Sequence, residues 1–240
     1  MKKLLTVSFL FITLLSYGQS FEGTITYVVD VTVSKQMIDM GVTKESLLTR
    51  MRAEGSWADT IQSSYKGGNY YNLLLRKEKQ WSIYRADKNK MYTMQDGEDS
   101  DICIVTDASI DLEHTMTGKM RTVELLDSTA TVNGIVCKIV RVKWNTGNTD
   151  YYYDPSQLPM DPSLYTPHVA EGWGDYLKLS KALPLKITKG VSGIMTVTLT
   201  MVSAEKKPID DKLFLIPVLV KDKDLNIIKM KNSEMMRIKK

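Results

Sequence analysis

Phe21-Glu-Gly-Thr-Ile-Thr-Tyr-Val-Val-Asp-Val-Thr-Val33 alternates apolar and polar residues and is dense in β-branched side chains. Side chains in a strand point to opposite faces in turn, so the stretch reads as a long strand with one covered face. The same period-two pattern recurs near 59–66, 69–76, 80–86, 90–95, 102–106, 119–125, 135–144, 148–154, 184–189, 193–203, 212–216 and 224–231. Turn chemistry separates these runs: Gly67-Gly68-Asn69, Asp87-Lys-Asn89, Asp96-Gly97, Asn133-Gly134 and Asn145-Thr-Gly147. Many short strands joined by tight turns leave no place for crossover helices. The chain is mainly β, a large antiparallel sheet built from hairpins.

Two segments break the rhythm. Between 34 and 57 the spacing turns helical, with Thr43 as N-cap and Leu47, Leu48 and Met51 on one side. From 155 to 183 come Pro155, Pro159, Pro162 and Pro167, then Glu171-Gly-Trp-Gly174 and a short helical stretch around 175–181. A Pro-rich interruption of that length in a β-protein reads as a loop laid over the sheet. The insertion after the first strand is the natural plug for an apolar sheet face. Met37, Met40, Leu47, Met51, Trp57 and Trp173 are therefore the candidate ligand-binding residues at plug and lid.

The front of the chain reads differently. Met1, Lys2 and Lys3 precede twelve uncharged residues, Leu4 to Leu15, and then Ser16-Tyr17-Gly18. This is the layout of a secretory signal peptide, and twelve residues fall short of the roughly 20 that cross a bilayer. Cleavage after Gly18 leaves residues 19–240 as a single β-rich domain with no transmembrane span. No Cys follows the cut, so a lipoprotein anchor is excluded. The predicted setting is the periplasm or the outer-membrane surface, or outside the cell.

All 240 residues together carry 32 basic and 28 acidic side chains, a net of +4. That is too little charge to argue for nucleic acid. Without the leader the balance falls to +2, and it is unevenly placed: from Lys221 onward seven basic residues face three acidic ones. The basic tail, 232–240, suits contact with an anionic membrane surface, each Lys or Arg there contributing about 1 kcal/mol. A charged final strand with a solvated end explains it equally.

The chain holds two His and two Cys. In an oxidising compartment Cys103 and Cys137 are a disulfide candidate, and a bridge across that loop would add ~3–4 kcal/mol. Both lie in β-patterned runs, and buried free thiols are the other reading. Asp111 with His114, and His168 with Glu171, are too few ligands for a zinc site. Asp96-Gly-Glu-Asp-Ser-Asp101 lacks the Gly and the distal Glu of a calcium loop, so it reads as a solvated turn. Nucleophile elbow, phosphate loop and His-Glu-x-x-His are absent. The expectation is a non-enzyme without metal or cofactor. After the leader, eleven Tyr and four Trp stand against only Phe21 and Phe214, with thirteen Met. Polar-tipped aromatics and Met suit surfaces that are apolar on one side and wet on the other.

Phe21-Glu-Gly-Thr-Ile-Thr-Tyr27, Asn133-Gly-Ile-Val-Cys-Lys138, Ala182-Leu-Pro-Leu-Lys186 and Ile209-Asp-Asp-Lys-Leu-Phe-Leu-Ile-Pro217 resemble the exported domain-of-unknown-function family 4412 and its GLPGLI-type relatives. That family is similar in turn to the LolA/LolB-like lipoprotein carriers. The resemblance implies a strongly curved antiparallel half-barrel whose concave face holds a lipid or other hydrophobic ligand under helices. The sequence departs from the pattern in its Pro-rich segment after Tyr151-Tyr-Tyr-Asp154, and in Val218-Leu-Val220 after Pro217. The expected function is that of an exported envelope protein binding a lipid-like ligand in the concavity. The alternative is a structural module that docks an envelope protein partner.

Overall fold

The computed structural model describes residues 20–191, 193–225 and 230–239. The expected signal peptide, 1–18, lies outside them. Thirteen strands form one open antiparallel sheet. In chain order they are β1 (Gly23–Val33), β2 (Thr60–Lys66), β3 (Asn69–Leu75), β4 (Gln80–Arg85), β5 (Lys90–Gln95), β6 (Ile102–Asp107), β7 (Thr122–Val132), β8 (Ile135–Lys143), β9 (Gly147–Tyr153), β10 (Lys186–Val191), β11 (Met195–Lys206), β12 (Leu219–Lys221) and β13 (Ser233–Ile238). Strands β1–β6 run as one meander and β7–β11 as another. The two join only where β1 pairs with β11, from Gly23↔Lys206 to Val33↔Met195. The order across the sheet is β12-β13-β6-β5-β4-β3-β2-β1-β11-β10-β9-β8-β7.

The turns carry the expected chemistry. Asn133 and Gly134 both take positive φ, 51° and 80°, between β7 and β8, as a two-residue hairpin turn requires. Among the described residues four α-helices interrupt the strands: α1 (Lys35–Asp39), α2 (Lys44–Ala53), α3 (Leu112–Thr117) and α4 (Trp173–Ser180). Thr43 caps α2 as expected, its hydroxyl accepting from Ser46 N at 3.1 Å while Ser46 Oγ accepts from Thr43 N at 3.0 Å.

Alternation sorts the core into two layers on opposite faces. Tyr70 and Tyr84 belong to one apolar cluster, and their chain neighbours Tyr71 and Ile83 to another. The first cluster runs through Ile25, Tyr27, Val140, Tyr151, Tyr176 and Leu177 and lies beneath residues 154–185. The second holds Tyr92, Met94, Cys103 and Val105 and is closed by Ile209 and Phe214 from the segment after β11.

The sheet is curled around the first cluster. Ring steps of 6.0, 6.3 and 5.9 Å link Tyr84 on β4 to Tyr165, Trp173 and then Tyr151 on β9, about 18 Å at most. Six strand spacings of about 4.8 Å would hold those two strands about 29 Å apart in a flat sheet.

Three expectations are corrected. The run 212–216 is not a strand: Asp210 caps a 3-10 turn, Asp211–Phe214, through its bond to Lys212 N at 2.9 Å. Pro208 and Pro217 bracket that segment and disfavour ladder pairing. The late strand expected at 224–231 is found at Ser233–Ile238, inside the stretch read as a basic tail, and residues 226–229 lie outside the described ones. Its Arg237 pairs with Asp101 and, at 2.8 Å, with Asp222, and Lys221 pairs with Glu234, so two of the seven basic residues from Lys221 onward are paired within the fold.

Third, Cys103 and Cys137 do not meet. Both are free and fully buried, in different clusters on opposite faces. Burial pushes the Cys103 thiol up to about 11 and also raises that of Cys137. A thiol reagent should therefore find neither in the folded protein and both after unfolding, and reductant should leave the melting temperature unchanged. A drop in melting temperature on reduction would show a bridge.

Candidate functional site

Residues 154–185 cover half of the inner face, and main-chain bonds tie them to β9, to the residues leading into β1 and to one another. Phe21 N donates to Pro159 O at 2.7 Å, Met160 N to Lys181 O at 2.9 Å, Leu183 N to Leu158 O at 2.8 Å and Leu185 N to Tyr152 O at 2.8 Å. Asp161 caps the 3-10 turn Pro162–Tyr165 by accepting from Ser163 N at 2.9 Å. Helix α4 then drives Tyr176 and Leu177 into the core. Its start lies so close to the sheet that a Cβ on Gly172 would stand 2.6 Å from Val142 Cγ1, and one on Gly174 2.6 Å from Tyr165 O. Only glycine fits at either place.

Below this lid the residues are aromatic with polar tips. Tyr70 stacks on Tyr84 at 4.9 Å and Tyr151 on Tyr176 at 4.3 Å, with Tyr165 and Trp173 between the two pairs. Burial raises the phenols of Tyr70, Tyr151, Tyr165 and Tyr176, so they stay neutral hydrogen-bonding groups. Tyr27 Oη donates to Pro184 O at 2.7 Å, and Tyr176 Oη to Ala182 O at 2.8 Å. Tyr165 Oη, Trp173 Nε1, Thr149 Oγ1 and Arg121 Nε are buried without a partner among the described residues.

His168 sits 5% exposed in this cluster, its Nε2 3.0 Å from Tyr70 Oη. Burial pushes its imidazole down to about 4. Because the unfolded chain takes up that proton near 6.5, stability is full above about pH 6.5 and falls toward pH 4, by about 3 kcal/mol in total. Urea unfolding at pH 7 and pH 5 should show the loss, and His168→Gln should flatten it. An unchanged slope in that variant would assign the effect elsewhere.

Neither His–carboxylate pair noted in the sequence forms a joint site. Glu171 turns to Lys189 at 2.8 Å, and Asp111 to the Arg121 guanidinium. Among the described residues no group of three or more His, Cys, Asp or Glu could hold a metal.

The other half of the inner face lies beyond the lid. Register aligns Ser63, Asn72, Ser82, Thr93, Ile104 and Met235 in one cross-strand row from β2 to β13. The row below it, Tyr65-Tyr70-Tyr84-Met91, belongs to the first cluster. Ile61 and Leu74 pair in the row above. Ile61, Leu74, Ile104 and Met235 are all only half-buried. A recess of about 190 Å³ opens beside Thr93, Gln95, Ile102, Ile104 and Met235.

The residues expected at plug and lid separate in space. Trp173 is on α4 in the lid. Met37, Leu47 and Met51 are half-buried on α1 and α2, and Met40 is 70% exposed. Trp57 is buried, with Nε1 donating to Asp59 Oδ1 at 2.8 Å. No residue within α1 or α2 is buried, and ion pairs Lys44–Asp30 at 2.5 Å and Arg52–Asp59 at 2.6 Å hold the insertion. The plug is therefore the Pro-rich segment, which offers Leu158, Met160, Tyr165, Tyr176 and Leu177 where α2 offers three apolar side chains. Sequence reasoning missed Ile61, Leu74 and Ile104, whose common face follows only from the strand register, and Met235, which lies in a strand expected several residues earlier.

Fold and site together define a curled, open antiparallel sheet with an inner face half covered by its own lid. No family model matches the chain, and no curated protein matches it. Among solved structures, PNGF-II aligns over 81% of this chain at 13% identity with a TM-score of 0.41. The chain spans about 30% of the length of PNGF-II. A LolA superfamily protein of Nitrosomonas europaea aligns over 82% of this chain and 91% of its own, at 9% identity and a TM-score of 0.23. The likeness to family 4412 rests on the quoted motifs alone. No helix among the described residues is long and apolar enough to cross a membrane.

Proposed function

We propose that this is an exported, non-catalytic binding protein of the cell envelope that takes up a lipid-like or other apolar ligand on the open half of its inner face. The supporting observation is the half-buried pair Ile104 and Met235, which line a 190 Å³ recess together with Thr93, Ile102 and Asp99, with half-buried Ile61 and Leu74 farther along the same face of a curled sheet. Covering such surface returns roughly 25 cal/mol per Å² of apolar area. The hydroxyls of Ser82 and Thr93, bonded to each other at 3.0 Å, give the same surface a polar strip for a headgroup. Titration of the secreted protein with a fluorescent fatty acid tests the reading. Saturable uptake that is lost in Ile104→Glu supports it. No uptake, with a bare polypeptide mass in native mass spectrometry from envelope extracts, refutes it.

One observation favours a second reading, a structural or protein-interaction module. Side chains of the chain itself fill the half of the inner face under α4, and among the described residues no strand pairs with the outer edge of the eleven-residue β7. An exposed edge is a template for another strand. On this reading crosslinks from β7 or from 155–183 capture an envelope protein, and fatty acid does not bind.

A further inference from the structure

A cavity of about 390 Å³ lies at the far end of β1, and none of its lining residues belongs to the lid or to the recess near β13. Its lining includes the cross-strand row Thr32, Thr196, Gly190, Asn148 and Lys143, set by the register of β1, β11, β10, β9 and β8. Trp144 adds an indole that packs partly against the first cluster, Val33 and Met195 add apolar surface, and the Ser34 hydroxyl is already engaged, donating to Gly193 O at 3.0 Å and accepting from Met37 N at 3.3 Å. The volume is within the range of small-molecule sites.

Two features give the groove a built character. Gly190 is the next-to-last residue of β10, and its lack of a side chain leaves room for another molecule to approach the backbone closely. Next to it the Asn148 amide is held in one orientation, Nδ2 donating to Asp150 Oδ1 at 3.1 Å. Asp150 is itself fixed by Arg141 through two bonds of 2.7 Å. Asn148 Oδ1 is thereby turned toward Gly190, 3.3 Å from where a Cβ would stand.

The lining selects among ligand classes. Among the described residues around the cavity there is no carboxylate, and the one cation, Lys143, is exposed. A cationic ligand would find no counter-charge, and a polyanion would find one amine. An apolar ligand would strip water from hydroxyls and amides and return no hydrogen bonds. Hydroxyls, a fixed amide, glycine backbone and an indole suit a molecule that alternates C–H faces with hydroxyl groups. We propose that this groove is a binding site for a neutral saccharide.

Backbone and indole NMR of the isotope-labelled full chain would test it, with neutral tetrasaccharides of glucose, mannose, galactose and N-acetylglucosamine as probes. At least one probe should bind at low-millimolar or tighter affinity and move the signals of Gly190, Asn148 and the Trp144 indole. Gly190→Val should keep the fold, since a β-branched residue suits a strand and Gly190 has no positive φ. It should weaken binding by about tenfold or more by filling the groove floor. Thr196→Val, which removes one hydroxyl without changing shape, should weaken it less. The proposal is overturned if no probe binds, if Gly190→Val binds as well as the parent, or if the shifted signals map to the inner face.

Discussion

Replacing Tyr176 by alanine should remove about 4 kcal/mol of folding stability, a large part of the 5–15 kcal/mol that holds a typical domain. The ring is fully buried, stacks on Tyr151 at 4.3 Å and meets Tyr153 edge-on at 6.1 Å. Its truncation opens a cavity at the centre of the lid interface, where Leu177 and Leu183 cannot follow because main-chain bonds fix the legs of the lid. The hydroxyl contributes less. Ala182 O accepts from Tyr176 Oη and also from Ser180 Oγ at 3.0 Å, so Tyr176→Phe leaves that carbonyl one partner and should cost about 1 kcal/mol. Urea unfolding of the two variants separates packing from hydrogen bonding. A loss below about 1 kcal/mol for Tyr176→Ala would mean that the lid is not part of the cooperative core.

Arg121→Met should be nearly as damaging, at about 3–5 kcal/mol. The Arg121 side chain is 7% exposed and its fork joins two elements: Nη1 holds Asp111, the N-cap of α3, and Nη2 reaches Asp175 in the first turn of α4 at 2.5 Å. Asp111 is 9% exposed, so removing the cation leaves a buried carboxylate without its counter-charge. Arg121→Lys should rescue little, because one ammonium cannot present two divergent donors. Asp111→Asn added to Arg121→Met should recover part of the loss. Burial pulls the Asp175 carboxyl upward, but bonds from Arg121 and Lys178 outweigh it and hold the group below its ordinary 3.8. That stabilisation is present above about pH 4 and is lost as acid protonates the folded carboxylate, a window below the one governed by His168. If Arg121→Met unfolds at the parental urea concentration, the ion pairs contribute no net stability.

Local chemistry was legible in the sequence and tertiary partnership was not. The alternation of 21–33 gives β1, Thr43 caps α2, and Asn133-Gly134 turns the β7–β8 hairpin, because each depends on residues a few positions apart. The helical stretch expected around 175–181 is α4. The fate of Cys103 and Cys137 depended on which face of which strand each occupies, and that requires the strand order. Arg121, Asp111 and Asp175 are joined by fold alone; nothing in their spacing marks them. The plug was misplaced for the same reason, since α2 is amphipathic in isolation while the Pro-rich segment acquires its apolar face only when folded back on itself. The open inner face was implicit in the alternation of β2 to β6, but which half stays uncovered follows from the lid.

The single β1–β11 junction has a consequence for how the chain reaches this structure. Each meander can assemble from neighbouring hairpins, whereas β1 must wait for β11, some 170 residues later, before its second edge is paired. Strand β6 likewise waits for β13 at the far end of the chain. Pairings of such sequence separation are slow to form, and until they do both half-sheets expose open edges. Strand β6 therefore keeps an open edge until residues 233–238 are available to pair with it.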